Sequence, residues 1–182
     1  MVFRFLFLFL MALPCYALDI AGVKLADEDR KLVLNGAGLR KVIFFQVYAI
    51  GIYLPEKKSA AADVIAAQGA KRVLLHMLRD ADADDFSEAL LDGVKANHDP
   101  AEMKALEPRL RQLFAIMAEI KQAKKGMRIT LDWLPAAGTQ VAVDDQAVGA
   151  PIAGEDFYRA LLRIWLGEHP VQSDLKKALL GG

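Results

Sequence analysis

The chain has 182 residues, 54% of them hydrophobic, and its 23 basic residues balance 23 acidic ones. This length can bury one sizeable core, and the balanced charge gives no electrostatic footprint for nucleic acid or an anionic membrane. We therefore expect a single globular domain without a nucleic-acid partner.

Residues 1–17, MVFRFLFLFLMALPCYA, have the features of a secretory signal peptide. Arg4 precedes an apolar run that is too short to span a bilayer, and Cys15 and Ala17 place small residues at the −3 and −1 positions before Leu18. The pattern predicts cleavage before Leu18 and a secreted, periplasmic protein with no transmembrane segment in the mature chain. The alternatives are an uncleaved anchor and a buried N-terminal helix.

Cleavage would also remove Cys15, the single cysteine of the sequence. Residues 18–182 would then carry 22 basic and 23 acidic residues and neither a disulfide nor a thiol nucleophile. We predict one domain over residues 18–182 that is stabilised by its hydrophobic core alone.

The first predicted elements are strands. Residues 19–35 predict short strands around a polar turn at 26–30, and the apolar run 39–54 predicts one long strand. A short helix at 59–68, with Ser59 as a possible N-cap, precedes a strand at 71–80.

Two helices follow, at 82–98 and 99–123. Asp82 or Asp84 can cap the first helix, and Asp99-Pro100 supplies a cap and a first-turn proline for the second. Pro108 should kink or restart this second helix.

The rest of the chain predicts three strands in 126–154, with turns at 136–138 and 144–145, and then two helices. Gly167 should close the first of these helices and Ser173 should cap the second. Strands, helices, strands and helices in this order do not alternate as βαβ units do. We therefore predict an α+β fold with a large, mostly antiparallel sheet covered by a layer of helices.

A candidate ligand-binding face lies in the run 39–54. In a single strand, alternation places Arg40, Phe44, Gln46 and Tyr48 on one face, a mixture of polar and large apolar groups typical of a ligand cleft. The alternative is an Arg40 that is paired with a nearby carboxylate and a Tyr48 that is merely buried. A β-bulge between the two residues would break the alternation.

No other motif indicates chemistry. His76, His98 and His169 lack metal-ligand spacing, and the chain contains neither a nucleophile motif nor a phosphate-binding loop. We therefore assign no catalytic residue, no metal site and no cofactor.

The segment LNGAGLRK…VYAIGIYLP resembles the signature of the chalcone isomerase family, in which a Gly-Ala-Gly-x-Arg corner precedes an Ala-Ile-Gly-x-Tyr-Leu strand. The C-terminal FYRALLRIWLGEHPVQSDLKKALLG is similar to the last helices of the bacterial chalcone isomerase-like branch. The resemblance covers most of residues 18–182. It implies an open-faced β-sandwich with a ligand cleft between a large antiparallel sheet and a layer of helices.

The resemblance also bears on function, since the family holds enzymes that close chalcones into flavanones and non-catalytic relatives that bind fatty acids. Both use the corner arginine, which Arg40 matches. The enzymes' cleft threonine corresponds to Tyr48, their helical tyrosine and asparagine to Phe86 and Gly93, and their last threonine or serine to a position near Tyr158. By this resemblance, the chain retains the arginine that binds a negative charge and lacks hydroxyl groups that transfer protons in the enzymes.

We therefore predict a binding protein for a small amphipathic molecule, a fatty acid or related carboxylate, with its head at Arg40 and Tyr48 and its tail near Ile50 and Leu162. The alternative is an isomerase or intramolecular lyase acting on a phenolic or enone compound, with Tyr48 or Tyr158 as its acid. The oligomeric state stays open. The predicted ligand-binding residues are Arg40, Tyr48, Phe44, Gln46, Phe86 and Tyr158.

Arg40 and Tyr48 should share a face of the sheet and point toward the helical layer, into a cleft that Phe86 and the C-terminal helix partly close. An arginine that receives an anion should not already be neutralised by a buried, bidentate carboxylate.

Overall fold

The computed structural model of the protein describes residues 17–182, which form eleven strands and five helices. The strands are β1 (Ala17–Ile20), β2 (Val23–Ala26), β3 (Glu28–Asp29), β4 (Leu32–Val42), β5 (Phe45–Leu54), β6 (Lys71–Met77), β7 (Ala81–Asp82), β8 (Gln122–Ala123), β9 (Arg128–Leu134), β10 (Gly138–Val143) and β11 (Gln146–Ile152). The helices are α1 (Ala61–Ala66), α2 (Ala83–Lys95), α3 (Pro100–Ile120), α4 (Glu155–Leu166) and α5 (Ser173–Leu179).

A seven-stranded antiparallel sheet forms the centre of the fold, in the order β11-β10-β9-β6-β5-β4-β3. The pairs β1–β2 and β7–β8 form two small separate ladders. The predicted turn at Asp144-Asp145 joins β10 to β11, and both residues have the positive φ that a tight hairpin turn demands. The predicted fold class, an α+β open-faced β-sandwich with a large antiparallel sheet and a helical layer, is confirmed.

The two faces of the sheet bury different partners. Alternation along β5 sends Tyr48, Ile50 and Ile52 into the main core beneath the helices, while Ala49 and Tyr53 pack into a smaller core with the β1–β2 hairpin. The helices therefore cover one face, and a small hairpin covers part of the other. Within the described residues, no helix is long and apolar enough to cross a membrane.

Helix α4 is anchored to the sheet by an ion pair at its first turn between a buried lysine and a partly exposed glutamate. The ammonium of Lys71, whose side chain is fully buried, donates to Glu155 Oε1 at 2.8 Å and to the carbonyl of Ala67 at 2.6 Å. A buried charge needs such partners. The pair thus helps to hold the helix that also carries Trp165.

This ion pair predicts a pH dependence of stability. The hydrogen bond from Lys71 holds the pKa of Glu155 below its ordinary value of 4.5, although burial acts in the opposite direction. A carboxyl whose pKa is lowered on folding contributes stability above its unfolded pKa, and that contribution is lost as pH falls through the folded-state pKa. Between pH 7 and acid, the free energy of unfolding of Glu155→Gln should therefore fall less steeply than that of the natural protein.

Urea denaturation across this pH range measures how steeply the free energy of unfolding depends on pH. Glu56→Gln, which removes an exposed partner of Lys58, is the control and should change the slope less. Parallel curves for the natural protein and Glu155→Gln would show that the Lys71 ion pair does not contribute to the acid sensitivity.

The prediction of one strand over 39–54 is wrong. The chain reverses at Ile43-Phe44, so that β4 and β5 form a hairpin in which Val42 pairs with Phe45. Ile43 has φ 55°, a region where glycine or asparagine is expected. No turn-forming residue marks this reversal, and the backbone pairing of β4 with β5 overrides the local sequence.

Several helix ends differ from the sequence prediction. Ser59 and Ser173 do not cap their helices, whose N-caps are Ala60 and Gln172. The predicted cap at Asp99 is confirmed, with bonds of 2.8 Å from the first-turn amides, and Glu102 completes a capping box. Helix α3 continues through Pro108 without restarting, because its buried stripe extends on both sides of the proline. The stripe comprises Leu106, Leu110, Leu113, Ile116 and Met117.

The Gly-Ala-Gly segment is not a corner but lies inside β4. Gly36 and Gly38 face α5, and a Cβ on either would collide with that helix. The glycines therefore allow α5 to pack directly on the strand. Ala17 begins β1, and residues 1–16 of the predicted signal peptide lie outside the described residues, so the cleavage site stays a prediction.

Candidate ligand-binding cavity

A cavity of about 350 Å³ lies between the helix-covered face of the sheet and helices α2, α3 and α4. Its walls are mostly aliphatic and aromatic. Leu75 lines it from β6, Leu113 from α3 and Ile164 from α4. Its volume and its apolar lining are typical of small-molecule sites. The charged residues and hydrogen-bonding aromatic residues in the lining are Arg40, Tyr48, Arg79, Asp80, Asp85 and Trp165.

Arg40 and Tyr48 meet as directly opposed residues on β4 and β5. Opposed residues of an antiparallel pair point to the same side of the sheet, here the side of the helices. The expectation of a shared face is therefore confirmed, although the residues come together across a hairpin and not along one strand.

A β-bulge at Val47 shapes the same region. Arg40 pairs with Tyr48 but Lys41 pairs with Gln46, which leaves Val47 as the extra residue on β5. Val47 and Tyr48 consequently both line the cavity, although regular alternation would place them on opposite faces. The bulge lies next to the Arg40–Tyr48 pair, and these two side chains still point to the same face of the sheet.

The Arg40 guanidinium is held by neutral acceptors. Its Nη1 donates to the carbonyl of Lys41 at 2.8 Å, to the carbonyl of Val171 at 3.2 Å and to Gln172 Oε1 at 3.4 Å. In the part of the chain that the structure describes, no carboxylate lies within 4.0 Å of this guanidinium. The side chain is therefore oriented without being neutralised, as expected of an anion receptor.

Gln172 supports this arrangement from the start of α5. Its amide accepts the backbone N–H of Lys41 at 2.8 Å and donates to the carbonyl of Leu39 at 3.1 Å, so it pairs with the edge of β4 as a neighbouring strand would. The same amide oxygen contacts Arg40. The segment that leads into α5 thus fixes both the strand edge and the guanidinium.

Tyr48 lies in the wall of the cavity with its hydroxyl engaged as an acceptor. The indole N–H of Trp165 donates to Tyr48 Oη at 3.0 Å, and Phe86 packs edge-on against the Tyr48 ring at 6.4 Å. Burial raises the pKa of the Tyr48 hydroxyl above 10.0, against the opposing effects of the Trp165 N–H and the Arg40 guanidinium. The hydroxyl therefore keeps its proton at neutral pH and can donate it to an anion.

The structure brings together three of the six predicted site residues. Arg40, Tyr48 and Phe86 line the cavity, and their part in ligand binding stays a prediction. Phe44 lies in the hairpin turn with 93% of its side chain exposed, and Gln46 is exposed and outside the lining because of the bulge at Val47.

Tyr158, the sixth residue, is buried elsewhere in the core. Its hydroxyl donates to the carbonyl of Leu131 at 3.1 Å, and burial raises its pKa well above 10.0. Ile50 and Leu162, which were expected near the ligand tail, are buried but do not line the cavity. These three residues belong to the packed core behind the cavity wall.

Sequence reasoning missed most of the lining, including the charged residues Arg79, Asp80 and Asp85. It also missed three residues that shape the site around Arg40 and Tyr48, namely Trp165, Val47 and Gln172. Trp165 follows a helical apolar stripe and is typical of a core position, and only its indole N–H could have indicated a polar partner. The bulge that turns Val47 inward and the distant bonds of Gln172 have no local sequence signal. Gly93, which matches a catalytic asparagine in the resemblance, packs in α2 against Ile164 and lies outside the cavity lining.

An antiparallel sheet, a helical layer on one face and an apolar cavity with an arginine in its wall define an open-faced β-sandwich with an internal site. The sequence model of the chalcone isomerase-like family matches residues 17–181. The chain therefore belongs to the chalcone isomerase-like family.

One solved structure supports the fold assignment in detail. The crystal structure of an Arabidopsis thaliana fatty-acid binding protein is similar at a TM-score of 0.67, over 87% of this chain and 92% of that chain, with 17% sequence identity. At this identity the likeness establishes the shared fold. A comparison with curated proteins finds no match.

Proposed function

We propose that the protein binds a fatty acid or a related amphipathic carboxylate in this cavity, in an exported compartment, with Arg40 as the anion anchor. The observation that carries the proposal is the Arg40 guanidinium, which lines an apolar cavity and whose acceptors among residues 17–182 are all neutral. A carboxylate head would pair with this cation, and an alkyl tail would displace water from the apolar walls.

The neighbouring hydroxyl favours the same ligand chemistry. Tyr48 accepts from Trp165 and, among the described residues, its own O–H has no acceptor. A cation beside a free O–H donor fits a carboxylate, which is an acceptor only. The fatty-acid ligand of the Arabidopsis relative supports this class of ligand for the fold.

Removing the cation should selectively weaken the binding of acids. We expect Arg40→Met to bind palmitate roughly ten- to a hundredfold more weakly, because a hydrogen bond to a charged group contributes about 1.5–3 kcal/mol. Hexadecanol, which has the same tail and no charge, should bind the variant and the natural protein with similar affinity. Displacement of a fluorescent fatty acid by each compound measures both affinities.

Arg111→Met is the matched control, since Arg111 is an exposed residue of α3 whose ion-pair partner is Glu107 on the same helix. It should bind palmitate as the natural protein does. Equal palmitate affinity in Arg40→Met and the natural protein, or an equal loss for acid and alcohol, would rule out Arg40 as the anion anchor.

The alternative function, an isomerase acting on a phenolic or enone compound, is favoured by one observation. Tyr48 keeps its proton and lies opposite Arg40, so it could act as an acid beside an oxyanion-stabilising cation. Tyr158 lacks this capacity because its proton is donated to a backbone carbonyl. A chalcone cyclisation rate above that of buffer, lost in Tyr48→Phe, would support the enzyme.

A further inference from the structure

The tip of the β4–β5 hairpin is an exposed apolar surface. The exposed fractions of its four consecutive residues are 44% for Val42, 81% for Ile43, 93% for Phe44 and 58% for Phe45. Within residues 17–182 only two other large hydrophobic residues are exposed, Leu18 and Leu134, and they are isolated in sequence. Concentrated apolar exposure of this kind marks an interaction site.

The turn itself does not explain these residues. Ile43 adopts φ 55°, where a β-branched residue is unfavourable and glycine would be preferred. Phe44 has almost no contact that would stabilise the turn, since 93% of it is exposed. The tip therefore carries apolar side chains at a cost to the stability of the hairpin.

Basic residues flank the tip. The guanidinium of Arg79 lies over the ring of Phe45, 4.8 Å from its centre, and the exposed Lys41 precedes Val42. The backbone of Lys125 donates to the Asp80 carboxylate at 2.7 Å, which places the loop containing this lysine beside Arg79. This local group of basic residues is not evident from the net charge, because the chain as a whole has equal numbers of basic and acidic residues.

Acidic residues lie in the same region, and Asp80 directly follows Arg79 in the chain. Asp80 is bonded to the Lys125 amide, and Asp85 contributes to the cavity wall from α2. The basic residues adjacent to the apolar tip are thus Lys41 and Arg79, on opposite flanks of the hairpin. This arrangement complements phosphate groups above an apolar layer.

The tip is continuous with the cavity. Val42 and Arg79 belong to the tip region and also line the cavity, as does Arg40 two residues before Val42. Because Val42 is both exposed and part of the lining, the cavity reaches the protein surface beside the tip. A surface that covered the tip would therefore lie next to this opening.

We propose that the hairpin tip, residues 42–45, docks on a phospholipid bilayer. The side chains of Ile43, Phe44 and Phe45 enter the boundary between headgroups and acyl chains, while Lys41 and Arg79 pair with phosphates. Docking in this orientation places the cavity opening against the membrane. Exchange of a fatty acid with the bilayer through this opening rests on the proposed function, whereas the docking itself does not.

Vesicle flotation tests the docking, with the protein purified from an exporting host and its N-terminus determined by mass spectrometry. The natural protein should float with vesicles of phosphatidylcholine and phosphatidylglycerol, and less with pure phosphatidylcholine or at high salt. The double variant Ile43→Gly/Phe44→Ser should partition to the vesicles at least about tenfold more weakly than the natural protein, since each of the two side chains contributes substantial apolar burial. Glycine at position 43 suits its φ, so loss of folding would not explain the result.

Leu134→Ser is the matched control, because it removes an exposed hydrophobic residue from the end of β9 and should float as the natural protein does. Equal flotation of the natural protein and the double variant would overturn the proposal, and so would absence of the natural protein from mixed vesicles. A soluble dimer that dissociates in the double variant, without vesicle binding, would replace the bilayer by a second copy of the chain.

Palmitate affinity of the double variant, measured in the absence of vesicles, separates the two proposals. Unchanged affinity with lost flotation supports docking by the tip together with the proposed function. Flotation of a natural protein that binds no palmitate would support docking and contradict the proposed function.

Discussion

Gly36→Ala is expected to destabilise the protein by about 3 kcal/mol or more, whereas Gly38→Ala, two residues further along β4, should cost about 1 kcal/mol or less. Neither glycine has a positive φ, so the difference is purely steric. A Cβ at position 36 would lie 2.5 and 2.6 Å from the carbonyl oxygen and carbon of Leu179 and would also contact the carbonyl oxygen of Ala178. These are backbone atoms of the end of α5, which cannot rotate away.

At position 38 the nearest atom is the Cδ1 of Leu175, 2.6 Å from the added Cβ. This methyl group is the end of a flexible side chain and can move, whereas the Ala178 Cβ at 3.1 Å is a tight contact that needs a shift of only a few tenths of an ångström. Alanine also reduces the entropy of the unfolded chain. Midpoints of urea denaturation for the two variants measure the difference. If both variants unfold at the midpoint of the natural protein, then α5 is not packed against β4 as described.

Gly36→Ala should also weaken ligand binding. A displaced α5 moves the preceding Val171 and Gln172, whose carbonyl and amide oxygens hold Arg40. The Gly-Ala-Gly segment would therefore affect the anion anchor through the helix that it allows to approach.

Breaking the buried ion pair between Arg72 and Asp132 is the second large expected effect. Asp132→Leu should destabilise the protein by about 3–5 kcal/mol, because a buried charge loses its main partner. Arg72 Nε and Nη2 donate to the two Asp132 carboxylate oxygens at 2.7 Å each, and Arg72 also pairs with Asp29. The side chains of Arg72 and Asp132 are 3% and 10% exposed.

The double variant Arg72→Met/Asp132→Leu should recover most of this loss, since a buried pair replaced by apolar residues of similar volume is often close to neutral. Asp29, 27% exposed, would then be solvated by water. Arg128→Met is the surface control, because its pair with Asp145 is about half exposed and should contribute less than about 1 kcal/mol. Urea denaturation of the natural protein, the two single variants Arg72→Met and Asp132→Leu and the double variant gives the coupling energy. A cost of Asp132→Leu below that of the surface control would contradict the buried role.

This ion pair also explains why Arg40, rather than Arg72, is the candidate anchor. Arg72 is neutralised by a bidentate carboxylate, whereas Arg40 is bonded to carbonyl and amide oxygens. The two arginines differ in partners that are distant in sequence, and no local pattern distinguishes them.

Much of the local structure was predictable because its causes lie between near neighbours. The capping box at Asp99, the turn at Asp144-Asp145 and the end of α4 at Gly167 each depend on a few adjacent residues. The family resemblance likewise identified the fold class and pointed to Arg40. The strand alternation placed Arg40 and Tyr48 on one face, although it assumed the wrong backbone path.

The reversal at Ile43-Phe44 shows where local reasoning failed. An uninterrupted apolar run is typical of a single strand, and Ile43 occupies a conformation that its side chain disfavours. Backbone pairing along β4 and β5 determines this turn, and that pairing is visible only once the strands are placed side by side.

The sequence by itself thus determined most of the helices and strands, the fold class and the Arg40 cation, since periodicity, capping and the signature motif are encoded within short segments. Only the tertiary structure decided what surrounds that cation. The bulge at Val47, the Trp165 hydrogen bond to Tyr48 and the acceptors at Val171 and Gln172 join residues that are separated by up to 132 positions or depend on strand register. Such contacts depend on how the helices pack on the sheet, which no local pattern specifies.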